Sequence, residues 1–77
     1  MTQDLSQDPK QVLLNFVLDH IHIPNCAQLL LFIAIFEQNA ELVEQALDNG
    51  AHVNQPMTGT ERRILEVAGY NIYGLRQ

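Results

Sequence analysis

The segment His20-Ile21-His22, followed by Cys26, gathers three side chains that can ligate a transition metal. Three such ligands with one position open suit zinc in number. Alternating histidines share a face only on an extended chain, however, and no fourth ligand of suitable spacing accompanies them. The simpler reading is a loop beside Pro24, with no metal. Cys26 as a nucleophile would need a base and an orienting group, and only His52 is on offer, far along the chain. A packed, inert thiol is the plainer alternative. Arg62 and Arg63 can grip a phosphate or a carboxylate. Two arginines make no nucleic-acid stripe, and contact with Glu61, Glu66 or a neighbouring chain would also account for them. The sequence holds no paired carboxylates, glycine-rich phosphate loop or triad-like set, so neither an enzyme nor a cofactor is expected.

The composition bounds the rest. A chain of 77 residues has room for one small domain. With 47% hydrophobic and 17% charged residues it has the makings of a core. The net charge of −5 is uneven, −6 over residues 1–57 and +1 over residues 58–77. An acidic body repels phosphate backbones, so direct nucleic-acid binding is not expected. One cysteine excludes an intrachain disulfide framework. The opening stretch MTQDLSQDPK is polar and acidic, unlike a signal peptide, and is read as the start of a complete product. The longest apolar run, residues 29–36, falls far short of the roughly 20 residues that span a bilayer. These features lead us to expect a cytoplasmic protein with no membrane partner.

Residues 1–8 read as a flexible tail and 9–77 as a single helical domain. Asp8 and Pro9 supply an N-cap and a first helical residue. Val12, Leu13, Phe16 and Val17, widened by Leu14 and Leu18, then keep helical spacing to about Asp19. An extended segment over HIHIPN should follow, because Pro24 bars a continuous helix. A second helix is expected over Ala27–Glu37, with a buried strand as the competing reading of its apolar run. A third covers Ala40–Asp48, with Leu42, Val43, Ala46 and Leu47 inward and Gly50 as the left-handed residue that ends it. Thr58 and Glu61 form a capping box for a fourth helix, expected over Arg62–Gly69. Its apolar residues are Ile64, Leu65, Val67 and Ala68.

Two self-similarities run through these elements. Residues 13–20 match residues 42–49 at an offset of 29, and Leu31 and Ala34 match Leu65 and Ala68 at an offset of 34. Periods of this size belong to stacked repeats. Leu42, Val43, Ala46 and Leu47, then Gly50, Ala51, Val53 and Asn54, resemble the outer helix and following hairpin of an ankyrin repeat, with His52 in place of the usual aspartate. Leu31 and Ala34 resemble the leucine and alanine that the family buries on its inner helix. Leu29-Leu30-Leu31-Phe32 departs from the family's Thr-Pro-Leu-His, and Gln38 stands where an interhelical glycine is common. The good match covers residues 29–54.

The resemblance implies an all-α stack of about four short helices with a protruding hairpin, and binding rather than activity. Carried over by position, the partner-binding residues are Phe36 and Glu37 on the inner helix, and His52, Gln55, Pro56, Met57 and Thr58 on or beside the hairpin. Phe32 either fills the core or contributes to a patch covered by a second subunit. Short arrays rarely sustain a stack alone, so a homodimer is expected. Its seam would use Phe32, Phe36, Tyr70, Ile72 or Tyr73. An alternative function is an acidic inhibitor that mimics nucleic acid and blocks a basic groove on a nucleic-acid-binding protein.

Overall fold

Asp8 starts the first helix, α1 (Pro9–Asp19): its backbone is extended, its carboxylate accepts from the Lys10 amide at 3.0 Å, and Pro9 follows. A computed structural model describes residues 8–71, so most of the tail expected over 1–8 lies outside the described residues. The described residues form four helices and no strand, the all-α architecture that the sequence implies.

The second helix, α2 (Pro24–Glu37), begins three residues earlier than the sequence suggested, and HIHIPN is not extended. Residues 20–22 turn instead, with the Ile23 amide donating to the His20 carbonyl at 2.9 Å. Proline lacks an N–H that the first turn of a helix does not need, so Pro24 opens the helix. The run from Leu29 to Phe36 is helical, which settles it against a strand.

Asn39 caps the third helix, α3 (Ala40–Asp48), accepting from the Glu41 and Leu42 amides at 3.1 and 3.3 Å. Its bounds are those expected. The fourth, α4 (Gly59–Ala68), starts at Gly59 rather than Arg62. The capping box is present: the Glu61 amide donates to the Thr58 hydroxyl, and the Thr58 amide to the Glu61 carboxylate. With Thr58 as N-cap, Gly59 is the first helical residue.

Three helices end in the same way. Gln38, Gly50 and Gly69 take positive φ of 57°, 103° and 103°. The amide after each donates five residues back, from Asn39 to Ala34, Ala51 to Ala46, and Tyr70 to Leu65, at 3.0 Å each. Such closures satisfy carbonyls that a helix end would otherwise leave unpaired. They also turn the chain sharply enough to lay each helix against an earlier one.

The core gathers on α2, which buries eight residues and packs between α1 and α3. Leu30, Ile33, Leu65 and Val17 are the largest fully buried side chains. Each such side chain contributes about 1.5–3 kcal/mol relative to exposure. The helix α1 also meets α4. The first and last described helices thus come together. No helix among the described residues is long and apolar enough to cross a membrane.

Candidate functional site

The loop between α3 and α4 is built on a buried amide. Gln28 is 3% exposed, one turn into α2. Its Nε2 donates to the His52 carbonyl at 3.1 Å, and its Oε1 accepts from the His52 amide at 2.9 Å. Two hydrogen bonds thus fix the loop where it leaves Ala51, itself buried. At the far end the capping box fixes Thr58. Between these points Val53, Asn54, Gln55 and Pro56 are exposed, Val53 at 66%, while Met57 packs partly on the core. The His52 ring belongs to the same exposed surface.

Phe36 and Glu37 sit elsewhere. They lie eight and nine residues beyond Gln28, about 12–13 Å along the α2 axis at 1.5 Å per residue. The structure therefore does not bring them to the loop. Both engage Tyr70: the Phe36 ring centroid lies 5.2 Å from that of Tyr70, and the Tyr70 hydroxyl donates to Glu37 Oε2 at 3.2 Å. The Lys10 ammonium lies over the Tyr70 ring, 5.2 Å from its centre. Burial, the hydrogen bond to Glu37 and the negative charges of Glu37 and Asp8 push the Tyr70 hydroxyl up to about 12. Of the expected subunit seam, Tyr70 is thus already covered by its own chain, and Phe32 and Phe36 are half-buried. Ile72 and Tyr73 lie outside the described residues.

One strongly apolar concavity among the described residues is not singled out by the sequence. A groove of about 560 Å³ runs between α1, through Pro9, Val12, Leu13 and Phe16, and α4, through Arg63, Ile64, Val67 and Ala68. Val12, Phe16 and Val67 are 48%, 54% and 77% exposed. Val12 and Phe16 belong to the apolar stripe expected of α1, and Val67 to the apolar residues expected of α4; where the two helices flank the groove, all three stay exposed. The Phe16 ring is braced by His20, stacked on it at 4.4 Å, whose Nδ1 donates to the Phe16 carbonyl at 2.9 Å.

The remaining candidates for chemistry disperse. His20 is spent on Phe16, His22 is exposed and Cys26 is buried as a free thiol. Among the described residues no group of three histidine, cysteine or acidic side chains is placed to hold a metal ion. Arg62 is exposed beside the groove and Arg63 lines it. A smaller cleft of about 400 Å³ separates Asn25 and Leu29 of α2 from Thr58, Glu61 and Ile64, next to Gln55. No protein-family model, no curated protein and no solved structure matches the chain.

Proposed function

We propose that the chain is a non-catalytic interaction module that binds a partner protein stoichiometrically through the loop between α3 and α4. The observation that carries this reading is the Gln28 clamp on His52. A loop fixed at its root loses less conformational freedom on binding, so more of its contact energy appears as affinity. Val53, Gln55, Pro56 and the His52 ring offer mixed apolar and polar contacts there. The resemblance of residues 29–54 to ankyrin repeats, a family that binds through hairpin tips, supports it.

Affinity capture from the native cell tests the proposal. Proteins retained by the wild type and lost by Val53→Asp, at unchanged melting temperature, are the expected result. Equal capture by both would sink the loop surface. Phe36 and Glu37 then belong to a second contact or to the fold alone, which Glu37→Gln in the same assay separates.

A second reading has an observation of its own. Glu41, Glu44 and Asp48 are exposed at helical spacing along one side of α3. Such a row suits an acidic inhibitor that occupies a nucleic-acid groove on its target. Binding that weakens steeply as salt rises favours the mimic, and weak salt dependence favours the loop. Self-association through Phe32 and Phe36 remains part of the proposal; a strict monomer in sedimentation equilibrium at micromolar concentration would remove it.

A further inference from the structure

We propose that the groove between α1 and α4 is a separate docking surface for a short amphipathic helix of a partner protein, with a carboxylate placed to meet Arg63. This inference does not depend on the loop reading. Among the described residues that line the groove, Arg63 alone is charged. The rest form a nearly continuous apolar floor and walls.

The shape selects a helix. Both walls are helices with internally paired backbones, so neither presents a sheet edge to which an extended peptide could add. From Pro9 to Phe16 the α1 wall advances seven residues, about 10 Å. Apolar anchors at i, i+3 or i+4, and i+7 of an incoming helix cover the same length. Phe16, more than half exposed, does not swing freely, because His20 stacks on its ring. A wall ordered before binding spares the complex that ordering cost.

The size and the charge choose the occupant. Eight residues line the groove, whereas a stable interface between two folded chains takes about 20–30 residues a side. A second copy docked in this groove is therefore a poor fit. A short helix needs no more than the groove provides. The end of α4 lies at the start of α1, where Gly69 and Tyr70 meet Lys10, so Arg63 falls toward the Phe16 end; it prefers a carboxylate and fixes the direction in which the helix lies.

The probe is a fluorescein-labelled synthetic helix of about three turns, with leucines at i, i+3, i+4 and i+7 and a glutamate one turn beyond. Expected are saturable anisotropy binding and methyl chemical-shift changes at Val12, Ile64 and Val67. Val67→Glu, at a site 77% exposed, should keep the melting temperature and weaken binding at least about tenfold, the equivalent of about 1.4 kcal/mol. Arg63→Glu should weaken the glutamate peptide, and replacing its glutamate with lysine should recover most of the loss. Val53→Asp should change nothing, which keeps this test apart from that of the loop. The proposal is overturned by absence of binding, by equal affinity across these variants, or by shifts confined elsewhere. A dimer abolished by Val67→Glu would make a second copy the occupant and overturn it too. So would tighter peptide binding by Leu75→Asp, which would mean that the chain's own C-terminal segment competes for the groove.

Discussion

The side-chain amide of Gln28 pairs with both backbone groups of His52, 24 residues away, as a neighbouring strand would. The pairing joins the first turns of α2 to the loop that follows α3, and so closes the α2–α3 unit. Gln28→Met keeps the volume and the helix but leaves the His52 groups without their partner. The expected loss is about 1–3 kcal/mol, toward the lower end because His52 is exposed and water can replace part of the pairing. The His52 amide should also exchange faster with deuterium. Unchanged protection at His52 would mean that the clamp does not hold the loop in solution.

Gly50 and Gln38 share the left-handed conformation and should respond to substitution with opposite signs. A Cβ at Gly50 would meet nothing within 4 Å, so Gly50→Val is opposed by backbone strain alone, at least ~1 kcal/mol. Gln38 already bears that strain at φ 57°. Gln38→Gly should relieve it, less the entropy that glycine loses on folding, for a net gain of about 0.5–1 kcal/mol. Thermal melts read both. A lower melting temperature for Gln38→Gly would show that chain entropy outweighs strain there.

Tyr70 gives the fold an alkaline limit. Its hydroxyl titrates near 12 in the folded chain, against about 10 unfolded. The folded state therefore holds this proton more tightly, so stability is full below about pH 10 and falls as pH rises toward 12. Tyr70→Phe removes the titrating group and should flatten this loss between pH 10 and 12, in urea melts taken across that range. The same slope in both proteins would assign the alkaline loss to other groups.

Thr58→Ala should cost about 1 kcal/mol, because it removes the hydroxyl that accepts from the Glu61 amide. Glu61 is 8% exposed, and its carboxylate takes the Thr58 amide. Thr58→Ala and Glu61→Ala should therefore be less than additive in a double-mutant cycle, and full additivity would mean that the box is not cooperative.

Helix ends were the most legible features of the sequence, because capping chemistry acts within a few residues. Asp8 with Pro9, Gly50, and Thr58 with Glu61 all stand where their types predict. Gln38 takes the left-handed backbone that makes glycine common at helix ends, and its residue type gives no sign of it. Pro24 misled because the same ring that breaks a helix interior also begins a helix, and the residue type alone does not choose. The box at Thr58 and Glu61 itself implies a start at Gly59, and an expectation of Arg62 does not follow from it. Gln28 gave no local signal, since its partner is 24 residues distant. The groove was hidden for a related reason. Val12, Phe16 and Val67 are apolar residues on helices that otherwise feed the core, and only the tertiary packing shows that they flank an open groove.

Fixing the loop at both ends separates what the chain needs for folding from what it can change. Gln28 holds His52 through backbone atoms, which every residue type except proline supplies, and the capping box begins afresh at Thr58. Val53, Asn54, Gln55 and Pro56, all exposed, lie between those two anchors. Surface substitutions away from special features usually shift stability by no more than about 0.5 kcal/mol. This stretch can therefore drift under selection, or be randomised in a library, with little effect on the helices beneath. Under the proposed function, binding preference would rest on four residues of a frame that stays the same.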